Sequence, residues 1–133
     1  MDILIAPITA GLLVFISAAV QHLSTVRAKG IGFVMTDRSA PLADGGFAGR
    51  AKRTLQNNME SGAMMIPLSL SAILLDAQGT LLVSAAYIYA ATRVGFTLSY
   101  WFALNPLRSA FWGVGMAMIA IIGGSTLTQL FTT

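Results

Sequence analysis

Apolar residues run along this chain in four blocks, separated by one long polar stretch and two short breaks. Each block approaches or exceeds the roughly 20 helical residues that cross a hydrocarbon core about 30 Å thick. The pattern predicts helices over about 3–23, 48–75, 79–104 and 107–131. Asp76-Ala77-Gln78-Gly79 and Asn105-Pro106 make the short breaks. The long one, about 24–47, carries Asp37, Pro41, Asp44 and Gly45-Gly46, which read as turns before the second helix. Gly113, Gly115, Gly123 and Gly124 in the fourth block suit close helix packing. The fold class this implies is an all-α integral membrane protein, a single domain of four transmembrane helices.

Composition sharpens that picture. The chain has 133 residues, 56% of them hydrophobic and 10% charged, with a mean hydropathy of +0.75. Soluble domains carry about 25% charged residues, so no separate soluble domain is expected. There is no cysteine, which excludes disulfides and thiolate catalysis by the protein itself. His22 stands alone and reads as a polar residue at the end of the first helix; no metal site is expected. The first apolar block has no basic residue before it, and Arg27 and Lys29 follow it. That is the reverse of a signal peptide, so the block reads as a retained span.

The formal charge of +3 does not point to nucleic acid, because topology explains it. Arg27, Lys29 and Arg38 lie in the long loop, Arg50, Lys52 and Arg53 just after it, and Arg108 at the third break. Seven of the eight basic residues thus fall on one side, against Asp2 and Asp76 on the other. The positive-inside rule then places the long loop in the cytoplasm and both termini outside. A bacterial inner membrane fits this arrangement.

Charge inside the blocks carries the chemistry. Arg50, Arg53, Asn57 and Glu60 fall within an arc of about 80° on the second helix. On the third, Tyr89, Arg93, Thr97 and Tyr100 share a face, as a packing seam or the wall of a polar cleft. Glu60 lies ten residues past Arg50 and Arg93 eleven before Leu104, so both sit about 15 Å in from the same side. An unpaired charge there costs about 2.5–3.5 kcal/mol. Glu60 and Arg93 are therefore expected to pair, within a chain or across a subunit boundary. Pro67 is expected to kink the second helix.

Arg50, Arg53, Arg93 and Arg108, with Arg27 and Lys29 nearby, would form a cationic cleft opening to the cytoplasm. Arginine forks suit carboxylates, and Asn57 with Glu60 can hold an amide or ammonium. A small amphoteric molecule with carboxylates at both ends fits, and glutathione has that form. An adjacent arginine would also lower the pKa of its thiol. The membrane would supply a lipophilic second substrate.

Arg50-Ala51-Lys52-Arg53-Thr54-Leu55-Gln56-Asn57-Asn58-Met59-Glu60 resembles the R-x-x-R-A-x-x-N-x-x-E signature of the MAPEG family, the membrane-associated proteins in eicosanoid and glutathione metabolism. Arg93-Val94-Gly95-Phe96-Thr97-Leu98-Ser99-Tyr100 with Pro106-Leu107-Arg108-Ser109 is similar to its second motif, and Asp44-Gly45-Gly46 to bacterial members. The resemblance implies a homotrimer of four-helix subunits holding glutathione, as co-substrate, between neighbours. By position it gives glutathione contacts to Arg53, Asn57, Glu60 and Tyr100, with Arg50 at the entrance and Arg93 paired to Glu60. Arg108 would stabilise the thiolate, Ser109 would lie near the sulfur, and Arg27 would reach a neighbour's site. Leu55 and Phe96 stand where members carry histidine, Trp112 where tyrosine is frequent, and Pro67 three residues late; the first three departures bear on which reaction is run, the last on the kink around the site.

The leading expectation is a glutathione-dependent membrane transferase, with or without peroxidase activity toward lipid hydroperoxides. The alternative is a non-catalytic protein of the same fold that binds a lipid or small anionic ligand. A small four-helix exporter is a third class, disfavoured because the first helix has no acid beyond Asp2.

Overall fold

The structure, a computed structural model, describes residues 2–37, 39–41, 45–77 and 79–132. Arg38, Asp44 and Gln78, to which the sequence assigned a loop charge and turns, lie outside the described residues. The described chain is all-helical: α1 (Ile5–Lys29), the single turn α2 (Ile31–Val34), α3 (Gly46–Leu74), α4 (Thr80–Trp101) and α5 (Asn105–Thr132). Helices α1, α4 and α5 are long and apolar enough to cross a membrane. Helix α3 is longer still but less apolar, with Arg50, Lys52, Arg53, Asn57, Asn58 and Glu60 along it, and falls outside that set.

Local chemistry accounts for where the helices stop. Helix α1 runs six residues past the expected end at Leu23. Ser24 and Thr25, which look like loop residues, turn their hydroxyls onto the Gln21 carbonyl at 2.8 and 2.9 Å and so stay helical. Arg27 and Lys29 then sit in the last turn, where cations favour the helix dipole. Gly30, at φ +84°, ends it. Helices α3 and α4 close alike, each with a left-handed residue past the end. Asp76 (φ +50°) lets the Ala77 N–H reach the Ala72 carbonyl at 2.9 Å, and Ala103 (φ +60°) lets Leu104 reach Ser99 at 2.8 Å. Pro106 therefore does not terminate α4, as the sequence suggested. It occupies the first turn of α5, where a missing N–H costs nothing. Pro67 lies inside α3, which continues through it.

Helix α1 packs on α3 and α4, α5 packs on α4 and α3, and α3 also meets α4. The contact surfaces are built from small side chains. Ala6, Ala10, Ala72, Ala85 and Ala86 are buried, with Met65, Tyr89, Ile119 and Ile122 filling between them. Large apolar residues face outward instead: Phe15 is 71% exposed and Leu74 86%. That inversion suits a chain in lipid, where close van der Waals packing and interhelical hydrogen bonds replace hydrophobic burial.

Gly95 sets the α4–α5 approach. A Cβ there would lie 2.8 Å from Cζ of Phe111, with two more ring atoms at 2.9 Å. Gly95→Ala is expected to cost roughly 1–3 kcal/mol, since the ring must swing out of its place. Thermal unfolding in detergent checks this; a wild-type midpoint would mean that Phe111 has room to move.

Candidate functional site

A polar seam runs through the packed helices. Ser61 of α3 and Tyr89 of α4 share a hydrogen bond at 2.8 Å. One turn away, Asn58 of α3 is the hub. Its Nδ2 donates to Ser17 Oγ of α1 at 2.8 Å and to Thr97 Oγ1 of α4 at 3.1 Å. Its Oδ1 accepts a short hydrogen bond from Arg93 Nη2, which also donates to the Asn57 carbonyl at 3.3 Å. Arg93 is only 3% exposed.

Beside this seam lies a cleft of about 280 Å³. Asn57 enters it from α3, Phe96 and Tyr100 from α4, and Arg108, Ser109 and Trp112 from the first turns of α5. The Arg108 guanidinium stands 4.8 Å from the Tyr100 ring centroid. Tyr100 in turn meets Phe96 edge to face at 5.5 Å. The Ser109 hydroxyl lies 3.4 Å from the Asn105 carbonyl of its own helix, to which it donates. Chemically the cleft offers one cation, one amide, two hydroxyls (Tyr100 and Ser109) and three aromatic faces. That set can hold an anion beside an apolar group.

The expected site residues divide accordingly. Asn57, Tyr100, Arg108 and Ser109 come together. Arg50 is half-buried at the end of α4, where its Nε donates to the Trp101 carbonyl at 3.1 Å and its guanidinium stands 5.8 Å from the Phe47 ring. Arg53 and Glu60 lie on the exposed face of α3, and Glu60 accepts a hydrogen bond from Gln56 Nε2 at 2.8 Å. Arg27 lines a separate apolar cavity of about 720 Å³ between the end of α1 and the start of α3, with Leu23 and Phe47.

One expectation needs correction. Within the chain Arg93 does not pair with Glu60; Asn58 and the Asn57 carbonyl hold it. Equal depth was only half of the condition. At 100° per residue Glu60 lies about 160° round α3 from Asn58, so it faces away from α4. Arg93 consequently lies behind the cleft rather than in it. Asn58 and Ser17 are the residues that the sequence reading missed. The signal was present in Thr54, Asn58, Ser61 and Met65, spaced by four, three and four on the face that α3 buries.

No curated protein and no solved structure matches the chain. The model of the MAPEG family matches residues 3–128, nearly the whole length. With that match, and with its apolar helices, the chain is a membrane protein that belongs to the MAPEG family.

Proposed function

We propose that this chain is a glutathione-dependent transferase, binding the tripeptide in the cleft beside Asn57 and conjugating its thiolate to a lipophilic electrophile. The observation that carries this is the meeting of Asn57, Tyr100 and Arg108 at one opening. Arg108 is positioned to lower the thiol pKa by its charge. In the reaction the thiol gives its proton to solvent, and the thiolate sulfur attacks an electrophilic carbon. A carbon–sulfur bond forms as the leaving group departs with its electron pair. Phe96 and Trp112 give the acceptor an apolar wall.

The working assembly in this reading is a homotrimer of four-helix subunits, with α3 as the fourth span. Two features support it. The cleft, about 280 Å³, falls just below the usual range of about 300–1,000 Å³ for ligand pockets, so one chain supplies only part of a tripeptide site. Arg53, Gln56 and Glu60 are exposed on α3, and charges left against acyl chains are costly; a neighbouring copy or a water-filled cavity must cover them. Arg53 and Glu60 then contact the ligand from the α3 side and Arg50 flanks the entrance, while Arg27 reaches only a neighbour's cleft. In this reading the cleft faces the cytoplasm of a bacterial inner membrane with both termini outside, which the charge pattern supports.

Reduced glutathione at about 100 times its Kd is expected to add about 2.7 kcal/mol to the stability of the purified protein and raise its unfolding midpoint by several degrees. Conjugation of a chloro-dinitrobenzene should follow. Stabilisation without turnover would make the protein a binder, and no stabilisation at all would sink the reading.

A further inference from the structure

We propose that Arg93 is a positioning residue for the cleft: it touches no ligand but sets, from behind, where Asn57, Tyr100 and Arg108 stand. The inference rests on the glutathione reading for one of its two readouts. At 3% exposure Arg93 is closed off from anything the cleft holds. Its contacts nevertheless lead there by two routes.

The first route is through the backbone. Arg93 Nη2 donates to the Asn57 carbonyl at 3.3 Å, which fixes the α3 turn that aims the Asn57 side chain. The second is aromatic. The Arg93 guanidinium lies over the Phe96 face, 4.3 Å from its centroid. The Phe96 and Tyr100 rings meet at 74°, 5.5 Å between centroids. The Arg108 guanidinium then stacks on Tyr100 at 4.8 Å. Each contact is directional, because ring faces attract cations and ring edges attract faces. Two cations thus bracket two rings, one sealed in the protein and one in the cleft.

The sealed end is firmly held. Asn58 Oδ1 accepts from Arg93 while its Nδ2 donates to Ser17 on α1 and Thr97 on α4. Gly115 of α5 leaves space for the Arg93 stem, whose Cδ would stand 3.5 Å from an added Cβ. The guanidinium thus bonds α3 directly and α1 through Asn58, while its stem passes α5 at Gly115. Arginine suits the position and lysine does not. A broad guanidinium can donate to two oxygens of α3 and still cover the Phe96 face, which a compact ammonium does not.

A residue that merely pins helices and one that positions the cleft differ in what their loss disturbs. Phe96→Leu cuts the aromatic route but keeps the hydrogen bonds of Arg93. It is expected to bind glutathione with a raised thiol pKa, lowering the thiolate fraction at neutral pH about threefold, with a smaller fall in unfolding midpoint than Arg93→Met, since buried Phe96 loses packing but the hydrogen bonds stay. Arg93→Lys should regain most of the stability lost in Arg93→Met without regaining the thiol pKa. The second readout needs no ligand. In protein carrying isotope-labelled arginine, the Hε resonance of Arg108 should be shifted upfield by the Tyr100 ring and return toward the exposed-arginine position in Phe96→Leu and Arg93→Lys. If wild-type protein fails to bind glutathione, the functional reading falls and the resonance decides. A wild-type Arg108 resonance in both variants overturns the proposal, as does an unchanged thiol titration in variants that bind. Should Arg93→Met fail to fold, the other two variants carry the test.

Discussion

Arg108→Ala is expected to lower the conjugation rate about a hundredfold or more at neutral pH, the scale set by removing one preorganised charge-stabilising donor. Arg108 lines the cleft from the first turn of α5, with its guanidinium over Tyr100. A free thiol has a pKa near 8.5 and is mostly protonated at pH 7. A cation beside it favours the thiolate and moves that pKa down. The wild-type rate should therefore rise with pH through the lowered pKa and level off above it. In the alanine variant the rising limb moves to higher pH, and the deficit narrows once both thiols are ionised. Arg108→Lys keeps the charge without the guanidinium over Tyr100, so its limb should fall between the two. Titrating the bound thiol by its ultraviolet absorbance checks this directly. An unchanged titration in Arg108→Ala, with glutathione still bound, would remove Arg108 from the mechanism. The fold should survive, because Arg108 is only half-buried and its cross-helix contact is to the Tyr100 ring.

Which of these features the sequence disclosed follows from what each depends on. Helices α1, α4 and α5 were legible because length and apolarity are properties of the string itself. Asn57, Tyr100, Arg108 and Ser109, named from the sequence, come from three helices and line one cleft. Depth was legible too, since rise per residue is constant. Azimuth was not. Asn57 and Asn58 are neighbours in sequence, yet one enters the cleft and the other ties α1 to α4. Which one faces inward depends on how α3 is rotated against α4, and that rotation is set by packing of alanines and glycines with little character of their own. The same ignorance left a pairing of Arg93 with Glu60 inside the chain open, and set Arg27 near a cleft whose lining it does not join. Helix ends failed for a different reason. Asp76 and Ala103 take up left-handed backbone where glycine would have announced it, and Ser24 and Thr25 look like loop residues until their hydroxyls find a carbonyl.

Asn58→Leu is expected to destabilise the protein by about 3 kcal/mol, and the size of each lost contact shows where that figure comes from. Interhelical hydrogen bonds between neutral groups in membrane proteins average only about 0.6 kcal/mol. The bonds to Ser17 and Thr97 thus account for a minor share, and Thr97 keeps its bond to the Arg93 carbonyl at 2.9 Å. The rest comes from Arg93, a buried cation left with the single carbonyl of Asn57. Stranding one partner of a buried charged contact costs about 3–5 kcal/mol, whereas removing both can be nearly neutral. Asn58→Leu combined with Arg93→Met should therefore recover most of the loss. Glu60→Gln supplies the contrast, for Glu60 is exposed on the opposite side of α3 and its hydrogen bond is to Gln56. That variant should stay within about 0.5 kcal/mol of wild type as a fold, although it would weaken glutathione binding if Glu60 contacts the tripeptide. Unfolding in detergent, with and without glutathione, separates the two effects. If Glu60→Gln unfolds the protein and Asn58→Leu does not, a neighbouring copy's Glu60 must be what holds Arg93, and the seam described in one chain is not the one that stabilises the assembly.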